Sequence, residues 1–181
     1  MVLMEDECHL CWGDTCGYVW GKRNAAVGVP MLNQRQRQTY YGALNLLTGD
    51  FHPQAAAAGN GEHTVNFIRH CQSLYPGKRL LWLWDGASYH RGQDMADFLA
   101  EENQGREEAD WKVTCMRFAP NAPEQNPVED VWLQAKNHLR KHFAANKTFA
   151  EVKACFLNFL QGLSFRAETK FAWYWGGSQV I

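Results

Sequence analysis

Three acidic residues occupy settings in which carboxylates could carry out chemistry together. Asp6 follows an apolar start to the chain, Asp85 follows five consecutive apolar residues, and Glu129 ends the motif Asn-Pro-Val-Glu. In phosphodiester chemistry, converging carboxylates hold two divalent cations about 4 Å apart, one at the attacking oxygen and one at the leaving oxygen. The three acids are therefore a candidate catalytic and metal-binding triad, provided that the fold brings them together.

Each acid also has an ordinary structural explanation. Asp6 has an acidic neighbour on either side, as in a solvated strand end. Asp85 could begin a turn and bond its own backbone. Glu129 follows an Asn-Pro pair at the spacing of a helix capping box. The residue types alone leave both explanations open for all three positions.

The order of elements predicts an α/β fold with a mixed sheet. Leu80–Trp84 is apolar at every position, which is typical of a central strand covered on both faces. Asp85 would then emerge at the carboxyl end of a buried strand, where open α/β sheets bind ligands. The pattern predicts strands at 2–8, 17–20, 37–47, 80–84 and 112–116, of which the first two would form a hairpin. It predicts helices at 62–75, 93–102, 126–143 and 148–160, and a connection at 52–61. This order is that of a ribonuclease H-like fold, with about five strands flanked by helices.

Composition restricts the class of protein. The 181 residues carry 18 basic and 19 acidic side chains, a balance that argues neither for nor against nucleic acid. The six cysteines lack the dense spacing of a secreted disulfide scaffold, and no apolar run approaches a membrane span. We expect a cytoplasmic chain with one domain at 1–165 and an aromatic tail at 166–181 that could contact a partner.

Two other metal-binding patterns are weaker. Cys8 and Cys11 have the spacing of zinc ligands, but no second pair follows at matching spacing. His138 and His142 lie four residues apart on a predicted helix, on its apolar side, so packing is the preferred interpretation.

Five short motifs of the sequence resemble, in order, motifs of the catalytic domain of DDE-superfamily endonucleases. The resemblance is greatest to the mariner-like insertion-sequence transposases of bacteria, and it covers about residues 1–145. The motifs are MEDE at 4–7, VWGKR at 19–23, YGAL at 41–44, LWDGASYH at 83–90 and FAPNAPEQNPVEDVW at 118–132. The last motif is the most specific. Gly86 departs from the pattern, since the family usually has Asn there, but no departure removes an acid.

The resemblance implies a ribonuclease H-like fold in which Asp6, Asp85 and Glu129 bind two Mg²⁺ or Mn²⁺ ions. It also implies DNA as substrate, with hydrolysis at a transposon end followed by attack of the freed 3′ hydroxyl on target DNA. His90 matches a histidine of the family, which could orient the site or touch a phosphate; a buried, hydrogen-bonded histidine is the alternative. The expected DNA contacts are His90, Lys22, Arg23, Lys136 and Arg140.

The family resemblance also raises the question of how transposon ends are recognised. Such transposases carry helix-turn-helix modules ahead of the catalytic domain, whereas Asp6 lies five residues after Met1. We therefore expect a homodimer, or an assembly with a polypeptide that carries those modules, in a bacterial cytoplasm and associated with the nucleoid. The alternative function is a catalytically idle fragment that acts as a DNA-binding, regulatory or oligomerisation subunit.

Overall fold

Five strands form one mixed sheet in the computed structural model, which describes residues 1–17, 20, 22–24, 28–29, 35–119 and 125–163. The strands are β1 (Val2–Cys11), β2 (Arg37–Asn45), β3 (Phe51–Ala56), β4 (Leu80–Trp84) and β5 (Val113–Arg117). Their order across the sheet is β3-β2-β1-β4-β5. The pairs β1–β2 and β2–β3 are antiparallel, and β4 is parallel to both β1 and β5. The predicted mixed α/β architecture of five strands is confirmed.

Four α-helices cover the two faces of this sheet. They are α1 (Gly61–Leu74), α2 (Gln93–Asn103), α3 (Val128–Lys141) and α4 (Phe149–Gln161). Buried side chains of α1 and α2 pack with one face of the sheet, and those of α3 and α4 pack with the other. Each predicted helix boundary lies within two residues of the observed one. Within the described part of the chain, no helix is long and apolar enough to cross a membrane.

Two predictions near the antiparallel edge need correction. The connection predicted at 52–61 is wrong over its first half, because Phe51–Ala56 forms β3. Pro53 is tolerated there since β3 is an edge strand, whose outer side forms no ladder hydrogen bonds. The strand predicted at 17–20 includes residues 18 and 19, which lie outside the described residues, while Gly17 and Trp20 are not in a strand. The antiparallel partner of β1 in the described chain is β2.

Alternation along β1 sends its side chains to two different layers. Leu3 packs with the core under α1 and α2, whereas Met4, Cys8 and Leu10 pack with the core under α3 and α4. Because successive strand residues point to opposite faces, Asp6 faces the α3 layer. Glu5 faces the α1 layer and is fully buried.

Gly42 lets helix α3 approach the sheet beside Asp6. Gly42 pairs with Asp6 in the β1–β2 ladder. A Cβ atom at this position would collide with the rings of Phe51 and Trp132. Those two rings meet edge to face, with centroids 5.2 Å apart. Since Trp132 belongs to α3, the missing side chain at Gly42 sets how closely α3 lies against the strands.

Replacing Gly42 by alanine should therefore destabilise the fold. Gly42→Ala is expected to lower the free energy of unfolding by about 1–3 kcal/mol, because the added methyl group overpacks the Phe51–Trp132 contact. Urea denaturation followed by tryptophan fluorescence measures this change. Gly13→Ala is the matched control, since its Cβ would meet nothing within 4 Å, and we expect a change within about 0.5 kcal/mol. Equal urea midpoints for the two variants would contradict this role of Gly42.

Candidate active site

The parallel pairing of β1 with β4 brings two of the predicted acids side by side. Met4 is the partner of Leu83 in this ladder. Extended by two residues, the same register places Asp6 opposite Asp85, on strands about 4.8 Å apart. Asp85 directly follows Trp84, the last residue of β4, as expected for a ligand-binding position at the carboxyl end of a buried strand.

The third acid is placed by a hydrogen-bonded link between α3 and β1. Asn126 is buried, and its Nδ2 donates to the Glu5 carbonyl oxygen at 3.0 Å. Its Oδ1 accepts from the Val128 backbone N–H at 3.1 Å, but α3 begins at Val128 with Pro127 as its N-cap and without a side-chain cap hydrogen bond, so the capping box considered from the sequence is not formed by Asn126. Glu129, in the first turn of α3, is exposed. The start of α3 is thus fixed to β1 one residue before Asp6.

Electrostatic effects link the three acids. Burial, followed by the negative charges of Glu7, Glu129 and Asp85, raises the pKa of Asp6 to about 7. Like charges have this effect only when they lie close together. Asp85 and Glu129 therefore lie near enough to Asp6 to act on its carboxyl group, although among the described residues the group whose ligand atoms lie within 4.8 Å of one another is Glu5, Glu7 and His90 rather than the triad.

Asp85 forms the turn contact considered from the sequence and keeps an exposed side chain. Its Oδ1 accepts from the Ala87 backbone N–H at 2.8 Å, which is the turn geometry. Its side chain is nevertheless 56% exposed. Because the turn contact uses Oδ1, it orients the carboxylate without burying it.

His90 is held beneath the surface beside Asp85. Its side chain is 1% exposed, and its ring stacks on Trp84 with centroids 4.2 Å apart and planes 4° apart. Nδ1 lies 3.3 Å from Asp85 Oδ1, and Nε2 lies 3.4 Å from Glu7 Oε1. This burial favours the orienting role of His90 over a direct phosphate contact.

Sequence reasoning missed the importance of Glu5 and Glu7, which it treated as solvated neighbours of Asp6. Burial, followed by the charge of Glu7, raises the pKa of Glu5 well above its usual range. Burial also raises the pKa of Tyr89, together with the charge of Glu7 and a hydrogen bond to its carboxylate. Period-two alternation from Leu3 would have placed Glu5 on a buried face, and was the available signal.

The predicted basic contacts differ in availability. Lys22 and Arg23 are exposed. Lys136 is held at the far end of β1, where its Nζ lies 3.5 Å from Asp14 Oδ2. Arg140 donates to Asn137 Oδ1, and its side chain packs where a Cβ of Gly17 would lie. The structure thus leaves the first pair open and engages the second pair with protein groups.

The two helical histidines pack, as the sequence indicated. Their rings lie 4.1 Å apart, and His138 stacks on Phe159 at 4.4 Å. Burial lowers the pKa of His138, which is consistent with a ring that packs in its neutral form.

The donor set of the triad fits a hard divalent cation. Carboxylate oxygens are the ligands that Mg²⁺ and Mn²⁺ prefer. Burial, followed by repulsion from neighbouring carboxylates, raises the pKa of Asp6 to about 7, and a bound cation would relieve that repulsion. Asp6, Asp85 and Glu129 are the residues that would hold it.

The raised pKa of Asp6 predicts a pH-dependent stability in the absence of metal. The folded state keeps this proton up to about pH 7, whereas the unfolded chain releases it near pH 4. Stability contributed by the protonated form is present below about pH 4 and is lost as the pH rises to 7.

Replacing Asp6 by asparagine should remove the loss of stability that occurs as the pH rises from about 4 to about 7. We expect the metal-free variant to be more stable than the wild type at pH 8, on the order of 2 kcal/mol, with the difference vanishing near pH 4. Urea denaturation in EDTA across this pH range measures the effect. The exposed Asp110→Asn should leave the pH profile unchanged. A wild-type profile that Asp6→Asn does not alter would contradict the raised pKa.

Comparison with known proteins agrees with this geometry. The sequence matches the family described as DDE superfamily endonuclease over residues 1–151. No curated protein matches. Among solved structures, a chain of the simian T-cell lymphotropic virus intasome, in complex with PP2A regulatory subunit B56 gamma, superposes with a TM-score of 0.58 at 10% identity over 87% of this chain and 47% of that one. The catalytic core domain of BIV integrase gives 0.53 at 14% identity, over 91% and 84%.

Mos1 transposase, in its paired-end complex with the left transposon end, gives a TM-score of 0.49 at 14% identity, over 88% of this chain and 52% of that one. The chain therefore spans about half the length of the intasome and transposase chains. The integrase likenesses confirm the ribonuclease H-like fold. Since the family match covers most of the sequence, the chain belongs to the DDE superfamily of endonucleases.

Proposed function

We propose that this chain is the catalytic domain of a DNA transposase, which hydrolyses a phosphodiester at a transposon end and transfers the strand to target DNA. The observation that carries the proposal is the electrostatic link among the three acids: after burial and the charge of Glu7, the charges of Glu129 and Asp85 contribute to raising the pKa of Asp6 to about 7. Its membership of an endonuclease family supports the reaction class. The names of its structural neighbours, an intasome and an integrase, support DNA as the substrate.

The proposed cofactor is Mg²⁺ or Mn²⁺, with two ions held by the three carboxylates. Bound there, the ions would activate the attacking oxygen and stabilise the leaving oxygen. Asp6 has to release its proton before it can ligate, so the pKa of about 7 makes metal binding strengthen as the pH rises through neutrality.

The remaining residues position this site. The Ala87 N–H and the buried His90 ring fix the direction of the Asp85 carboxylate. Asn126 fixes the first turn of α3, and with it Glu129, against β1. The Asp85 carboxylate and the helix turn that carries Glu129 are thus held by backbone or buried groups, as rigid catalytic geometry requires.

Exposed cations supply the proposed DNA contacts. Lys22 and Arg23 are exposed and lie two and three residues after Trp20, which is fully exposed. Cations neutralise phosphates, and an exposed indole can stack on a base. Lys136 and Arg140 are further proposed contacts, once they exchange their present protein partners for phosphate.

The catalytic assignment is tested with Asp85→Asn. We expect divalent-dependent nicking of supercoiled plasmid DNA to fall by more than about 100-fold, since loss of even an outer partner of a metal site costs about 10–100-fold. Gel electrophoresis of the nicked product measures the rate. Asp97→Asn, an exposed acid on α2, is the matched control and should keep wild-type activity. Undiminished nicking by Asp85→Asn would remove the assignment.

Thermal unfolding with added Mn²⁺ separates this function from the idle alternative. We expect Mn²⁺ to raise the melting temperature of the wild type more than that of Asp85→Asn or Glu129→Gln, because a ligand stabilises the folded state in proportion to its affinity for that state. A wild type that binds Mn²⁺ and DNA without nicking would instead be an idle subunit. Absence of any Mn²⁺ effect, with or without DNA, would count against a working triad.

The DNA contacts are tested through salt dependence. Lys22→Ala should weaken binding to duplex DNA and reduce the slope of log affinity against log salt concentration by about 1, as expected for one lost phosphate contact. Fluorescence anisotropy at several salt concentrations gives the slope. Lys78→Ala removes an exposed lysine just before β4, at the opposite end of that strand from Asp85, and should leave the slope unchanged. Equal slopes for both variants would exclude Lys22 as a contact.

A further inference from the structure

A second group of potential ligands lies on the other side of the sheet from Asp6. Glu5, Glu7 and His90 each direct one ligand atom to a common point, and these atoms all lie within 4.8 Å of one another. His90 Nε2 is 3.4 Å from Glu7 Oε1 and 3.9 Å from Glu5 Oε2. Glu5 and Glu7 are separated by one residue on β1, so both face the α1 layer.

The buried carboxyl group of Glu5 is the feature that indicates a ligand at this cluster. Its side chain is 0% exposed, and within the described residues neither carboxyl oxygen forms a hydrogen bond of good geometry, although the Trp82 side chain lies close enough to act on the group. A buried carboxyl group without a well-formed hydrogen bond is unfavourable in either protonation state, and buried carboxylates are normally paired or bound to a metal. Solvation by surface water cannot answer this demand, because both oxygens are inaccessible.

The protons of His90 cannot satisfy all of its neighbours. A neutral imidazole carries one N–H. Nε2 faces Glu7 and Glu5, while Nδ1 faces Asp85 Oδ1 at 3.3 Å without a well-formed hydrogen bond. Even a doubly protonated ring has one positive charge for three carboxylates. A divalent cation at Nε2 would neutralise Glu5 and Glu7 together and leave the single N–H on Nδ1.

We propose that Glu5, Glu7 and His90 bind one divalent transition-metal ion, in a site separate from the Asp6, Asp85 and Glu129 triad. An imidazole ligand favours zinc over magnesium. Zinc binds nitrogen and carboxylate oxygen at about 2.0–2.2 Å, which requires donor atoms about 3.3–3.6 Å apart in a tetrahedron. His90 Nε2 lies 3.4 and 3.9 Å from the two carboxyl oxygens, and all three atoms lie within 4.8 Å of one another, so the donors would move closer together on binding the ion.

Such an ion would position Asp85 through the histidine. With Nε2 ligated, Nδ1 carries the proton and donates toward Asp85, as in a carboxylate–histidine–metal arrangement. Tyr89 completes the outer layer, because it hydrogen bonds the Glu7 carboxylate. His90 would thus fix the orientation of a triad carboxylate while binding an ion that belongs to a different site.

Cobalt absorption tests the proposal on the full chain. We expect the EDTA-stripped protein to bind Co²⁺ at this site with visible d–d absorption and no near-ultraviolet thiolate band, and Zn²⁺ to abolish that absorption by displacing the cobalt. Glu5→Gln, which keeps the shape of the side chain, should weaken this binding at least about 10-fold. Glu62→Gln, an exposed acid on α1, is the matched control and should bind as the wild type does.

Two further readouts keep the result decisive. Asp6→Asn should retain the cobalt spectrum, which separates this site from the triad and makes the test independent of transposase activity. Zn²⁺ should raise the melting temperature of the wild type and of Glu62→Gln but not that of Glu5→Gln. A wild type without the visible band, a Glu5→Gln variant with unchanged affinity, or a thiolate band from the cysteines would each overturn the proposal. Wild-type stability of metal-free Glu5→Gln together with no wild-type band would show that Glu5 is simply protonated.

Discussion

Repulsion among carboxylates at the middle of β1 is the constraint on which the rest of this structure depends. Three consecutive acids, Glu5, Asp6 and Glu7, meet Asp85 from the next strand and Glu129 from a helix. Five carboxyl groups do not gather unless other interactions hold them there. In this fold the strand ladders, the buried Asn126 link and the stacked histidine supply those interactions. Binding of cations would convert the resulting electrostatic strain into affinity.

Packing of the apolar core explains how the sheet holds these carboxyl groups in place. On one face, Trp132 lies over Gly42 and against Phe51, which brings α3 close to the strand that carries Asp6. On the other face, Trp84 provides the surface on which His90 stacks. Large aromatic residues therefore set the positions of the polar groups, and the apolar core and the active site are parts of one packing arrangement.

Much of this arrangement could be predicted from the sequence, and the failures have physical causes. The uninterrupted apolar strand Leu80–Trp84 and the helices were accessible because their periodicity is strong. The edge strand β3 was missed because Pro53 and the alanines resemble a connection, and only its place at the sheet edge makes them acceptable. Glu5 was missed because a run of three acids suggests solvent. Alternation from Leu3 indicated a buried face, but only the packing of α1, α2 and the Trp82 strand in that layer shows how completely it is covered.

Alternation along β1 has a consequence for how this strand can change. Even-numbered residues of β1 face α3, and odd-numbered residues face α1. Asp6 therefore lies on one face of the sheet and Glu5 and Glu7 on the other only because successive side chains of a strand alternate. A one-residue insertion or deletion before Asp6 would exchange the groups, placing a glutamate in the triad layer and an aspartate under α1. The bond from Asn126 to the Glu5 carbonyl marks the register at that point. The first strand of this domain can therefore accept substitutions far more readily than changes in length. The number of residues before Asp6 determines which side chains face the triad layer.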